Sequence, residues 1–256
     1  MRKILFATHK GGAGKTTMCI VLAQELIRLG KKVLSLDTDP QRNLSQFYGA
    51  EIDGQYTFAD ILYGDTPADK CIQHTELGDI IPSDTALLGA ESKAGEGALR
   101  YLHLKKSFEG FKSDYDYLII DTPPAIGIIL TNAMLFADEL IVPVQESGWS
   151  LSGLMDLHDA IQDAKYAGNE NLKVLGLVTV MAQERTHKSA EIGAMAKEIA
   201  SAMNTEVFST KIRSSVKIGE AFTVRRRPIY EISPRSKISK DCENFTTEFL
   251  EKEKRL

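Results

Sequence analysis

A chain of 256 residues, 43% hydrophobic and 26% charged, can bury the core of one large α/β domain or two small ones. Its apolar runs stay well short of the roughly 20 residues that cross a bilayer and no signal peptide precedes the first strand, so a cytosolic protein with no membrane partner is expected. The net charge of −4 hides an asymmetry: residues 211–240 carry nine Lys and Arg against Glu220 and Glu231, a balance of +7 that leaves −11 elsewhere and points to a polyanion on one face.

The first element is the apolar run Ile4-Leu5-Phe6-Ala7, read as a strand. Lys10-Gly11-Gly12-Ala13-Gly14-Lys15-Thr16-Thr17 follows, and then a helical pattern over 15–29. Strand, glycine-dense turn and helix N-terminus together bring backbone N–H groups to one point, which makes a phosphate cradle. Gly11, Gly12 and Gly14 put no side chain between backbone and phosphate oxygens. Lys15 is placed to reach the β- and γ-phosphates, and the Thr16 hydroxyl to ligate Mg²⁺. The pattern G-x-x-x-x-G-K-[ST] is not met strictly, because His9 stands at its first glycine and a second lysine, Lys10, precedes the turn.

A second strand, Val33-Leu34-Ser35-Leu36-Asp37, ends in Asp37-Thr38-Asp39-Pro40-Gln41. Ligands bind beyond the carboxyl ends of parallel strands, so these carboxylates and the cradle are expected at one edge. Residues 43–111 are less legible: Thr57 reads as the cap of a short helix, 78–82 as a strand and 98–108 as a helix. Tyr115-Asp116-Tyr117-Leu118-Ile119-Ile120-Asp121 is a buried-strand pattern ending on a carboxylate, which suits an outer ligand of a hydrated Mg²⁺. Two more apolar strands fall at 139–144 and 174–179, with helices at 150–166, 187–203 and 236–254. The alternation predicts a single-domain α/β P-loop NTPase over 1–256, a doubly wound, mostly parallel sheet with helices on both faces. Phe245, Phe249 and Leu250 share a stripe of the last helix, and the interspersed Glu243, Glu248, Glu251 and Glu253 favour packing on the domain over binding a membrane. Cys19, Cys71 and Cys242 are odd in number and scattered, so they suggest neither a disulfide framework nor a metal site.

Three stations, 10–17, 37–41 and Leu118-Ile119-Ile120-Asp121-Thr122-Pro123-Pro124, together resemble the deviant Walker A ATPases, and within them the ParA/Soj type of DNA partition ATPase. The match continues at Asn132-Ala133 with Ala137-Asp138, at Thr179-Val180-Met181, from Thr210 to Ala221, at Arg227-Pro228-Ile229 and at Ser233-Pro234-Arg235-Ser236. The resemblance implies ATP and Mg²⁺ as cofactors and a homodimer that sandwiches ATP. Lys10 would be the signature lysine that crosses to the partner's nucleotide, with Gly11, Gly12, Ala13, Gly14, Lys15, Thr16 and Thr17 holding the phosphates. Gly12 would lie where the subunits approach most closely. Asp39 would position the attacking water, Asp37 would stand near the Mg²⁺ shell, and Asp121 would be the Walker B carboxylate.

The resemblance also implies nonspecific, salt-dependent DNA binding at the nucleoid and hydrolysis stimulated by a ParB-like centromere-binding partner, with slow intrinsic turnover. Arg213 and Arg235 would contact DNA, with Lys217 and Lys237 beside them. Arg225, Arg226 and Arg227 either join them or form a solvated turn ahead of Pro228. No N-terminal helix-turn-helix extension is expected. Arg213-Ser214-Ser215 departs from the Arg-Asn pair of many relatives, on the adenine side. A MinD-like membrane-associated positioning ATPase shares the three motifs and is the alternative. A bacterial tyrosine kinase would need tyrosines beyond Tyr230, and an iron–sulfur reductase cysteines beside the cradle.

Overall fold

Alternation of buried side chains along each strand organises the molecule, whose computed structural model describes residues 1–145, 151–182 and 187–255. β1 (Arg2–Phe6), β2 (Val33–Asp37), β3 (Gln73–Thr75), β4 (Gly78–Ile81), β5 (Tyr117–Asp121), β6 (Glu139–Gln145) and β7 (Lys173–Val180) form one sheet in the order β3-β4-β2-β5-β1-β6-β7. Every pairing is parallel except the β3–β4 hairpin at the edge. The central strands are apolar on both faces, as a sheet covered on both sides requires. Leu5, Leu118, Ile120, Leu140 and Val142 enter one core, while Ile4, Phe6, Ile119 and Ile141 enter the other.

The second core is closed by α1 (Lys15–Arg28), α2 (Asn43–Tyr48) and, at the chain's end, α11 (Lys237–Glu253). The first takes α3 (Phe58–Gly64), α4 (Ala90–Lys93), α5 (His103–Ser107), α6 (Ile128–Phe136), α7 (Leu151–Tyr166) and α8 (His187–Ala202). Two short helices, α9 (Val216–Gly219) and α10 (Ile229–Ile232), flank a π-helical turn over Glu220–Arg225. The expected single-domain α/β architecture, with helices on both faces of a mostly parallel sheet, is the one observed.

Local chemistry sets the ends of these elements. α1 stops at a Schellman motif: Gly30 adopts φ +79°, and the Lys31 and Gly30 amides donate to the carbonyls of Leu26 (3.0 Å) and Ile27 (2.9 Å). α3 starts at a reciprocal capping box between Thr57 and Asp60, as the sequence suggests. α11 buries Phe245 and Phe249 completely against α1 and the sheet, so its apolar stripe packs on the domain.

One expected helix is broken. Residues 98–108 form a 3-10 turn (Ala98–Tyr101) and the separate α5, because the buried Asn132 side chain takes the backbone groups that a continuous helix would pair internally. Its Oδ1 accepts from the Leu104 amide at 3.2 Å and its Nδ2 donates to the Arg100 carbonyl at 2.9 Å. Ser150, the expected start of the helix before β7, lies outside the described residues.

Candidate nucleotide site

Three adjacent strands end at the same level. Phe6 pairs in register with Asp121, and Asp121 with Asp37, so the loop after β1 emerges beside Asp121 with Asp37 one strand further along, although the two carboxylates are 84 positions apart in sequence. Hydroxyl side chains tie the strand ends together: Thr38 donates to the Asp121 carbonyl at 2.7 Å and Thr122 to the Phe6 carbonyl at 2.9 Å.

The glycine loop has the backbone that its sequence demands. Gly12 and Gly14 have φ of +71° and +80°, a region costly for other residues, and Gly14 serves as N-cap of α1. A Cβ on Gly14 would also meet Val180 at 3.4 Å. Lys15 is buried on the first turn of α1, where desolvation lowers its pKa against the attraction of Asp121 and Asp39. Lys10 and His9 are exposed ahead of the loop, and His9 Nε2 lies 3.8 Å from Asp156 on α7.

The three carboxylates differ in their partners. Asp37 accepts from the Asp39 amide (3.0 Å), the Ser45 amide (2.8 Å) and the Ser45 hydroxyl (2.7 Å), and burial still pushes its pKa up. It thereby anchors the loop that carries Asp39. Asp39 accepts from the Gln41 amide at 2.9 Å, its carbonyl accepts from the Ser83 hydroxyl at 2.7 Å, and its side chain reaches the cleft. Asp121 is fully buried, with neither carboxylate oxygen in a hydrogen bond of ordinary geometry. Burial, then repulsion from Asp37, raise its pKa, and the neighbouring Thr16 hydroxyl and Lys15 ammonium only partly oppose them.

An orphaned buried carboxylate is what a cation or its waters would satisfy, and the Thr16 hydroxyl stands beside it. The donor set therefore fits a hydrated Mg²⁺ that takes its remaining ligands from phosphates. Among the described residues, no group of three His, Cys, Asp or Glu forms an all-protein metal cage.

The glycine loop and Asp39 open onto a cleft of about 450 Å³ whose far wall sequence reasoning did not furnish. Its walls include Met181 after β7, Phe47 and Gln46 on α2, and Ile218, Phe222, Thr223 and Arg226 from the π-helical turn and its flanks. Phe222 packs edge-on against Phe47, centroids 5.4 Å apart, which joins this turn to the helix that follows Asp39. The residues fall in no periodic pattern, and the family match at Thr179-Val180-Met181 and from Thr210 to Ala221 runs through Met181 and Ile218 without marking them as a cleft.

Lys217, Arg235 and Lys237 are exposed, as are Arg225, Arg226 and Arg227. Arg213 differs: its guanidinium grips Asp241 on α11 through Nε (2.5 Å) and a terminal nitrogen (2.7 Å). Cys19, Cys71 and Cys242 are free and buried, and burial raises all three thiol pKa values, which makes them poor nucleophiles.

Fold and site define a P-loop NTPase of the variant-lysine class. An AAA domain family model matches residues 1–174. The chromosome partitioning protein ParA of Caulobacter vibrioides is 33% identical over 226 residues, 86% of this chain and 84% of its own length. The sporulation initiation inhibitor protein Soj of Bacillus subtilis is also 33% identical, over 93% of this chain and 94% of its own. A crystal structure described as cobyrinic acid a,c-diamide synthase from Mycobacterium smegmatis, with bound ADP and magnesium, superposes with a TM-score of 0.82 at 26% identity, covering 97% of this chain and 94% of that one. The chain belongs to the ParA/Soj family of ATPases.

Proposed function

We propose that this protein is a partition ATPase that binds ATP with Mg²⁺, dimerises around it, holds nucleoid DNA nonspecifically in that state, and is released when a ParB-like centromere-binding partner stimulates hydrolysis. The observation that carries the reading is that Lys15, Thr16 and Asp39 line one cleft while the buried Asp121 stands directly behind them, with Lys10 exposed beside it. The M. smegmatis structure, similar over almost the whole chain, contains ADP and magnesium, and the Caulobacter vibrioides relative is a chromosome partitioning protein.

In this reading the α1 amides and Lys15 would hold the phosphates, and Thr16 and Asp121 would hold Mg²⁺, which would supply positive charge to the phosphates when bound. Asp37 keeps the loop in place so that Asp39 can orient the attacking water. Lys10 adds charge across the dimer, so the catalytic set is complete only in pairs and turnover by the lone chain is slow. Exposed Lys217, Arg235 and Lys237, with the remaining donors of Arg213, provide phosphate contacts for duplex DNA.

The test is binding of the purified chain to nonspecific duplex DNA and to anionic liposomes, each with ATP-Mg²⁺, with ADP and without nucleotide, at two salt concentrations. ATP-dependent, salt-sensitive DNA binding is expected. ATP-dependent liposome binding without DNA binding would establish the MinD-like alternative instead. The burial of Phe245 and Phe249 argues against that outcome, because the apolar stripe of α11 is already covered.

A further inference from the structure

The arginine run 225–227 sits where two cavities meet. The nucleotide cleft has Arg226 in its wall, and a second groove of about 740 Å³ is lined by Arg225, Arg226 and Arg227 together with the β3–β4 hairpin. Phe47 and Arg226 face both. The π-helical turn between Phe222 and Arg225 is therefore a shared partition: one side forms the nucleotide wall, and the other carries the run's positive charge.

The three arginines are held differently. Arg225 lies 3.5 Å from Glu220 and Arg227 lies 3.3 Å from Glu76, both in exposed pairs with side chains 61% and 46% accessible. Such pairs contribute little and exchange readily for a stronger anion. The side chain of Arg226, between them, has no hydrogen-bond or ion-pair partner among the described residues, and its backbone is left-handed, with φ +48°. A non-glycine residue held in that region marks a position whose surroundings impose the conformation. Here the turn closes through the Arg227 amide on the Ala221 carbonyl at 2.9 Å, and Phe222 is anchored on Phe47.

We propose that the turn is a nucleotide-responsive contact for duplex DNA. Arg225 and Arg227 engage backbone phosphates, and Arg226 closes the nucleotide cleft, so that occupancy of the cleft sets the presentation of its two neighbours. The proposal rests on the partition reading and goes beyond it by assigning a DNA contact that is linked within one subunit to the nucleotide. Arg213, committed to Asp241, is then a fixed base of the surface, and the exposed, weakly paired charge lies in 225–227. An acidic peptide fits less well, because docking in the second groove would bring its carboxylates against Glu51 and Glu76. Duplex phosphates need touch only the rim. Linkage makes the effect reciprocal: DNA on the rim raises nucleotide affinity by the factor by which nucleotide raises DNA affinity.

The test compares the full-length protein with the variants Arg225→Ala/Arg227→Ala and Arg226→Ala. It measures affinity for a nonspecific duplex over a salt series with ATP-Mg²⁺ or ADP, binding of a fluorescent ATP analogue, and binding to phosphatidylglycerol vesicles. Each phosphate contact contributes about a 0.9 power of salt concentration, so losing two lowers the log–log slope by about 2 and weakens binding up to roughly sixtyfold at 0.1 M salt. The double variant is expected to show that loss while binding the ATP analogue as before. Arg226→Ala is expected to weaken analogue binding and narrow the gap between ATP and ADP states in DNA affinity.

A double variant with wild-type DNA affinity and slope would overturn the proposal and leave the partition reading intact. An Arg226→Ala protein with an unchanged ATP–ADP gap would overturn the coupling. A wild-type protein that binds no DNA in any nucleotide state removes the partition reading itself, and one that binds vesicles through 225–227 replaces DNA with a membrane. Circular-dichroism melts of each variant separate these outcomes from loss of folding.

Discussion

Asp121 offers a quantitative test of the site, because the wild-type protein without ligand holds a carboxylate at 0% exposure with both oxygens unpartnered. Two effects oppose its ionisation, burial first and then repulsion from Asp37, and the Thr16 hydroxyl and Lys15 ammonium that favour it are smaller. Replacing Asp121 by Asn keeps the shape and removes the charge. The buried amide is itself left without partners, so the gain is that of the charge alone, on the order of 1–3 kcal/mol for an unmet charged group over a neutral one, and a domain of this length shifts by about 2 °C in Tm per kcal/mol. The apo variant should therefore melt roughly 2–6 °C higher than wild type at neutral pH.

The sign with pH follows from the raised pKa. Folded Asp121 takes up its proton at a pH where the unfolded chain, near 3.8, has already lost it. Apo stability should consequently fall as pH rises from about 4, and Asp121→Asn should flatten that slope, its advantage vanishing below about pH 4, where Asp121 of the unfolded chain is protonated as well. Differential scanning fluorimetry across pH 5–8, with and without ATP-Mg²⁺, reads both effects. Wild type should gain from Mg²⁺ added to ATP, and the variant should not. A variant that melts no higher than wild type, or gains as much from Mg²⁺, would refute the assignment of Asp121 as an unsatisfied cation ligand.

Other perturbations separate the remaining roles. Gly12→Ala meets no atom within 4 Å in the single chain, so beyond a backbone strain of about 1 kcal/mol it should fold and bind ATP. It should also fail to form the ATP-dependent dimer in size-exclusion chromatography, and a normal dimer would remove Gly12 from the interface. Asp39→Ala should reduce phosphate release to background while retaining ATP-dependent DNA capture, and normal hydrolysis would remove its proposed role. Lys15→Ala should abolish the thermal shift given by ATP; a retained shift would show that the loop binds phosphate without it. Phe249→Ala should cost about 3–5 kcal/mol in urea denaturation, since the ring is fully buried, and a loss near zero would mean that α11 does not anchor the domain.

The parts legible in the sequence are those where one physical requirement acts over a short stretch. The central strands announce themselves because both faces are buried, and the P-loop because Gly12 and Gly14 need positive φ. The Thr57–Asp60 box works within four residues, so its helix start is readable even in the otherwise obscure stretch 43–111. The helix expected over 98–108 failed because Asn132, on a distant helix, claims the Leu104 amide and the Arg100 carbonyl. Local propensity carries no trace of such a tertiary contact. The far wall of the nucleotide cleft was missed for the same reason: Phe47 and Phe222 are 175 positions apart in sequence and meet only through the fold.

The two strand-end carboxylates show a deeper limit of the one-dimensional signal. Asp37 and Asp121 each close an apolar strand, each is completely buried, and they are neighbours in register. By residue type and position they are interchangeable, yet the fold gives them opposite tasks. Three donors converge on Asp37 because α2 turns back at once and delivers Ser45, so that carboxylate is spent on holding the Asp39 loop. After Asp121 the chain runs instead into Thr122-Pro123-Pro124. Neither proline has an N–H, and the Thr122 hydroxyl is turned to Phe6, so this stretch returns no donor like Ser45 and only the Thr16 hydroxyl of α1 stands near the carboxylate. Its missing hydrogen bonds are thus prepared by the two prolines that follow it, and they leave Asp121 as the group whose charge a bound cation would compensate.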